Sequence, residues 1–178
     1  MFDPTVFENL KVVLEGAVYE LDLSEVIAIT NRTNIIDLAK MNRAYGLSFV
    51  RENGTAEASL LIEASTQTLS AEILEEDSKN AACDFSITFH LHIQHPKNDC
   101  EAILFLINKY WRPYRPAVTQ NLSQTYGDDQ HLFKNDVTLL FKEGIDESNI
   151  DDIQMLLTAV LATLDGLDHN FPPKKQPK

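Results

Sequence analysis

From Asp84 to Gln94 apolar and polar positions alternate without a break. Phe85, Ile87, Phe89, Leu91 and Ile93 take the odd positions; Asp84, Ser86, Thr88, His90, His92 and Gln94 take the even ones. Successive side chains of a strand point to opposite faces, so this pattern predicts a strand with one face buried and one face wet. Sheets of that kind are commonly antiparallel. A second local signal is Asn53-Gly54, which sits between two alternating runs. That dipeptide predicts a tight hairpin with a type I′ turn. Such a turn pairs Glu52 with Thr55, and therefore Phe49 with Ala58 and Leu47 with Leu60. The inner residues are all apolar, so the turn and the hydrophobic pattern select the same register. Further strands are predicted at Ala17–Leu23 and Val26–Thr30, around a Ser24-Glu25 turn, and at Leu69–Leu74. A last strand, Phe133–Phe141, has Val137, Leu139 and Phe141 on one face.

Helical spacing appears in four places. Asp3-Pro4 opens the first, with Phe7, Leu10 and Leu14 on one face and Gly16 as the stop. Asn34 to Tyr45 reads as a short helix, capped by Asn34 with Asp37 three residues on. Its inward residues are Ile35, Leu38 and Met41, and Gly46 ends it. Asn98 to Trp111 is the third. Asn98 and Glu101 have capping-box spacing, Ile103, Leu106, Ile107 and Tyr110 face inward, and Arg112-Pro113 ends it. Ser148 to Asp165 is the longest, with Ile150, Ile153, Leu157, Val160, Leu164 and Leu167 recurring and Gly166 at its end. Met155, Leu156 and Leu161 widen its apolar arc, which suits deep burial first and a homodimer contact second. The stretch from Arg112 to Gln130 has no strong period.

These elements make an α+β fold, an antiparallel sheet with helices packed mainly on one face. The length of 178 residues suits a single domain, 1–170, and the Pro/Lys tail 171–178 is expected to be disordered. The element order is similar to that of type III secretion chaperones and their bacterial relatives, which are small, acidic and dimeric. That similarity of layout rests on no residue motif.

Composition narrows the function classes. The net charge is −12, from 15 Lys and Arg against 27 Asp and Glu. A field of that sign repels phosphate backbones and anionic lipid, so no nucleic acid and no membrane is expected as a partner, and a basic protein partner is favoured. No apolar run is long enough to span a bilayer, and the first residues do not read as a signal peptide. Cys83 and Cys100 are too few for a disulfide framework. A cytoplasmic location is the expectation. The six glycines are widely scattered, the closest pair being Gly46 and Gly54. Phosphate-binding loops and the serine-hydrolase elbow need closely spaced glycines, so those motifs are absent.

Two segments carry candidate chemistry. His90 and His92 share one face of their strand, and His95 follows closely. Imidazoles at that spacing can hold Zn²⁺ or another divalent metal, and equally suit a wet sheet face beside Ser86, Thr88 and Gln94. The segment Lys109-Tyr110-Trp111-Arg112-Pro113-Tyr114-Arg115-Pro116 contains the single tryptophan. Trp, Tyr and Arg dominate binding hot spots, so Lys109, Trp111, Arg112, Tyr114 and Arg115 are the candidate partner-binding residues. The alternative is that Trp111 and Tyr110 pack beneath the loop. The expectation is a non-enzymatic interaction module: an adaptor, chaperone-like or regulatory protein. The second reading is a metal- or small-ligand-binding protein using the polar face around His90 and His92, with no cofactor assigned.

Overall fold

The computed structural model describes residues 5–74, 82–127 and 132–172. Helix α1 spans Thr5–Leu23 and is followed by strands β1 (Ile27–Asp37), β2 (Asn42–Arg51) and β3 (Glu57–Ala64). Helix α2 (Thr66–Ile73), strand β4 (Asp84–Ile93) and helix α3 (Pro96–Tyr110) come next. Strands β5 (Ala117–Ser123) and β6 (Phe133–Leu140), a 3-10 turn at Glu147–Asp152 and helix α4 (Ile153–Asn170) complete the chain. The six strands form one antiparallel sheet in the order β1-β2-β3-β4-β6-β5. This is the α+β architecture expected from the alternating and helical patterns.

The core lies between one face of the sheet and the helices. Tyr45, Leu47 and Phe49 of β2, Leu60 and Ile62 of β3, Ile87 and Phe89 of β4, and Val137 and Leu139 of β6 supply its sheet side. Phe7, Leu10, Leu14 and Val18 of α1, Ile103 and Ile107 of α3, and Leu157, Val160, Leu164 and Leu167 of α4 cover them. Each such side chain, taken fully out of water, contributes about 1.5–3 kcal/mol. The arc on α4 serves burial: Leu156 is buried and Leu161 packs on the core, while Met155 is exposed. Among the described residues no helix is long and apolar enough to cross a membrane.

The hairpin register is the predicted one, with Leu47 opposite Leu60 and Phe49 opposite Ala58. The turn differs. Asn53 has φ 64° but Gly54 does not share a positive φ, so this is not a type I′ turn. The cause is Asp168 near the end of α4. Its Oδ1 accepts the Thr55 and Ala56 N–H groups at 2.8 and 2.9 Å, taking Thr55 away from the predicted pairing with Glu52. Its Oδ2 packs against Gly54, where an added Cβ would overlap it. Arg51 alongside grips Asp165 through Nε at 2.6 Å.

Five segments depart from the sequence reading. Helix α1 runs through Gly16 and absorbs the strand expected at 17–23, because Ala17 and Val18 continue the buried stripe of Leu10 and Leu14. Burial of that stripe outweighs the glycine penalty of about 1 kcal/mol. Its expected opening, Asp3-Pro4, lies outside the described residues. The helix expected at 34–45 is instead the β1–β2 hairpin, where Asp37 Oδ1 accepts the Ala39 and Lys40 N–H groups and turns the chain. Ile35, Leu38 and Met41 are 54%, 79% and 54% exposed and do not face the core. The strand expected at 69–74 is part of α2, capped by Ser65 accepting from the Thr68 N–H. Helix α3 starts before Asn98, at Pro96, because the Asp99 carboxylate takes the N–H groups of Gln94 and His95. Helix α4 likewise continues past Gly166, which lies against Leu106 of α3, and ends on Phe171. Phe171 packs on the core, and 173–178 of the expected tail lie outside the described residues.

Candidate functional site

The segment 109–115 divides between core and surface. Trp111 is 1% exposed and ends α3. Its indole N–H donates to Thr163 Oγ1 of α4 at 3.0 Å, and that hydroxyl donates to the Ala159 carbonyl at 2.7 Å. Trp111 is therefore a core anchor and not a surface hot spot, since the large ring finds its apolar partners and its polar handle inside the fold. The chain then folds back tightly, with the N–H groups of Tyr114 and Arg115 both on the Trp111 carbonyl. Tyr114 is left half-buried, and Lys109, Arg112 and Arg115 are exposed. Lys109 Nζ sits 5.0 Å from the centre of the Tyr110 ring.

Beneath this loop the aromatic rings form a connected wall. Trp111 lies 5.8 Å from both Tyr114 and Phe141, and Phe141 stacks on Phe85 at 5.5 Å. Phe85, Tyr114 and Phe141, with Leu156, line a cleft of about 580 Å³. That volume falls within the range of small-ligand sites. Lys142, Glu143, Asp146 and Asp152 also line it, three carboxylates against one ammonium group. Two distant segments meet to close it. Cys83 and Ile145 exchange N–H···O bonds of 2.8 Å in both directions. Gly144 permits that approach, because a Cβ there would stand 2.8 Å from the Cys83 carbonyl oxygen.

The acidic positions of the cleft are held in place. Asp146 caps the 3-10 turn, accepting from the Ser148 N–H at 2.8 Å, while Asn149 Oδ1 takes the Asp146 N–H at 3.0 Å. Asp152 accepts from Asn149 Nδ2 at 3.3 Å. The Tyr114 phenol is pushed above its ordinary pKa by burial and then by the negative charge of Asp152. It stays neutral and able to donate. The Cys83 thiol behind the cleft is pushed up to about 12, first by burial and then by Glu72 and Asp84, so it is a poor nucleophile.

The histidines lie elsewhere, on the sheet face opposite the buried one. Across its middle the register aligns Asn31, Ser48, Ser59, Thr88, Thr138 and Thr119, one from each strand. The next rung holds Glu57, His90, Asp136 and Asn121. Side chains join the rungs. Ser48 and Ser59 hydroxyls are 2.8 Å apart, Ser59 Oγ is 3.0 Å from His90 Nε2, and His90 Nδ1 is 2.6 Å from Asp136 Oδ1. Lys134 Nζ reaches the same Asp136 oxygen at 3.2 Å. Burial pushes the Asp136 carboxyl up, but hydrogen bonds from His90 and Lys134 outweigh it and hold its pKa below the ordinary value. Both His90 nitrogens are thus engaged. His92 shares the face and stands opposite Lys134, while His95 lies at the start of α3. Among the described residues no three His, Cys, Asp or Glu side chains are grouped to hold a metal ion.

Sequence reasoning did not find Ser59, Asp136 or the cleft. Period-two alternation places Ser59 on a polar face, but its contact with His90 depends on the pairing of β3 with β4, and that of Asp136 on the pairing of β4 with β6. The latter strands are separated in sequence by α3 and β5. Tyr114 is the one residue singled out from the sequence that lines the cleft. No protein-family model, no curated protein and no solved structure matches the chain.

Proposed function

We propose that the chain is a protein-interaction module that receives a basic segment of a partner protein in the cleft beside Tyr114. The observation that carries this reading is the pairing of an aromatic wall with an acidic lining in one cleft. A lysine or arginine side chain matches both parts. Its apolar stem packs on Phe85, Phe141 and Leu156, and its charged head meets Tyr114, Asp146 and Asp152. The net charge of −12 adds long-range attraction for such a partner and speeds its approach. Adaptor, chaperone-like and regulatory roles all use such capture. The exposed cations Arg112 and Arg115 flank Tyr114 in the chain, where they would repel a misaligned basic segment and so fix its direction.

Trp111 supplies the assay. It is the single tryptophan and touches two rings of the cleft wall, so its fluorescence reports on occupancy. Titration with a short Lys/Arg-bearing peptide is expected to give a saturable change that an acidic peptide of equal length does not. Asp146→Asn keeps a capping oxygen and removes the charge. Combined with Asp152→Asn it should weaken peptide binding about tenfold, a loss of about 1.4 kcal/mol. Equal binding of the two peptides, or unchanged affinity in the double variant, would overturn the reading.

A further inference from the structure

On the open sheet face, away from the cleft, Ser59, His90 and Asp136 are connected in the order nucleophile, base and acid. We infer that Ser59 is an activated nucleophile and that this face carries an acyl-transfer site. Asp136 is ionised, so it can only accept, and His90 Nδ1 must carry the proton directed at it. Neutral imidazole then presents a lone pair at Nε2, and that atom lies 3.0 Å from Ser59 Oγ. The distances of 3.0 and 2.6 Å are within the reach required between a nucleophile, its base and the group that orients the base. The three residues come from β3, β4 and β6, adjacent strands whose pairing fixes their spacing. His90 and Asp136 side chains are 25% and 30% exposed, so a substrate can reach the site while the network keeps its geometry.

The sheet supplies no free backbone donor beside Ser59, because β3 is paired on both sides, with Ser48 opposite on β2 and Thr88 opposite on β4. Charge on a carbonyl oxygen must therefore be met by a side chain. The Ser48 hydroxyl, 2.8 Å from Ser59 Oγ, is placed to turn its proton toward an oxygen on the carbon that Ser59 attacks. The chemistry that fits is transfer from an ester with a good leaving group. Ser59 Oγ bonds to the acyl carbon as its proton passes to His90 Nε2. The C–O bond to the leaving group breaks, and that group departs with the proton from His90. Water then attacks the acyl carbon as His90 Nε2 takes its proton; the bond from that carbon to Ser59 Oγ breaks, His90 returns the proton to Oγ, and the carboxylic acid leaves. His90 and Ser59 are the catalytic residues, and Asp136 is a positioning residue that sets the imidazole tautomer.

The test is incubation of the purified chain with a fluorophosphonate, whose phosphorus takes the place of the acyl carbon and loses fluoride. Mass spectrometry should find one adduct per chain, on Ser59. Ser59→Ala should abolish it, and His90→Ala should slow labelling by about 10²–10⁴-fold, the usual contribution of a general base. His90→Gln serves as a second variant if the alanine form melts early. Ser48→Ala should slow labelling on the order of 10²-fold, as for loss of one oxyanion donor. In Asp136→Asn the downfield proton resonance of His90 Nδ1 should disappear together with the fast labelling, a signature that a merely structural role would not produce. No adduct, an adduct on another residue, or equal labelling of the His90 variants would overturn the inference.

Discussion

Replacing Gly54 by alanine tests how the β2–β3 turn is held to α4. Gly54 does not use a positive φ, so alanine is not disfavoured by its backbone angles. The difficulty is contact. The new Cβ would overlap Asp168 Oδ2 and stand 3.0 Å from Arg51 Cβ. Asp168 must then rotate, yet its other oxygen holds two backbone N–H groups at 2.8 and 2.9 Å. Hydrogen bonds to a charged group are worth about 1.5–3 kcal/mol each, and Thr55 is exposed, so the pair together contributes about 2–4 kcal/mol. Gly54→Ala alone should cost about 1.5–3 kcal/mol. Asp168→Ala alone should cost about 2–4 kcal/mol. In the Asp168→Ala background the main obstruction is gone and only the contacts with Arg51 remain, 3.0 Å to its Cβ and 3.2 Å to its carbonyl oxygen, so Gly54→Ala should cost under about 0.5 kcal/mol, offset by the smaller entropy of the unfolded chain. The two changes should therefore be coupled by about 1.5–2.5 kcal/mol. Urea denaturation of the four proteins measures this, given equal slopes. Additivity within about 0.5 kcal/mol would refute the argument, since uncoupled sites add to that precision.

Trp111→Phe removes the indole N–H bonded to Thr163 and part of a fully buried ring. It is expected to lower stability by about 2–4 kcal/mol, read as a shift in the urea midpoint, with Lys109→Ala and Arg112→Ala within about 0.5 kcal/mol of the parent. Asp136 has a folded-state pKa below its ordinary 3.8, so its ionised form stabilises the fold above that value. That contribution fades as the pH falls below about 4 and through the folded pKa. Asp136→Asn should consequently differ most from the parent near neutral pH, and the two stability curves should converge on acidification.

What could be read from the chain and what could not separate along physical lines. Strand β4 and the β2–β3 register were legible because their signals are local: a period of two, and a turn dipeptide that agrees with it. Strand β5 was not legible. It lies at the sheet edge, and its inward Gln120 is satisfied by hydrogen bonds to Asn135 and the Cys100 carbonyl, so it lacks the apolar alternation of a buried strand. The region around Gly16 misled because glycine stops helices only where nothing beyond it is worth burying. Tertiary contacts of Ala17 and Val18 decided otherwise. The composition of the segment around Trp111 suits a buried anchor as well as a hot spot. The indole bond to Thr163 distinguishes them, and the two residues meet only in the folded chain. Sites that depend on strand order carry no signal along the sequence. Ser59, His90 and Asp136 become neighbours through two strand pairings, and neither can be inferred from the residues alone.

The bridge between Cys83 and Ile145 has a kinetic consequence. It joins the beginning of β4 to the segment after β6, and it closes a loop that contains most of the second half of the sheet. A contact between positions so far apart in sequence forms only after a large part of the chain has lost its freedom. The cleft is lined from both ends of that loop, so it should be completed only in the last phase of refolding, after the β2–β3 hairpin has formed. Nascent chains would therefore lack the cleft, and the capture proposed for it would be confined to molecules that have finished folding.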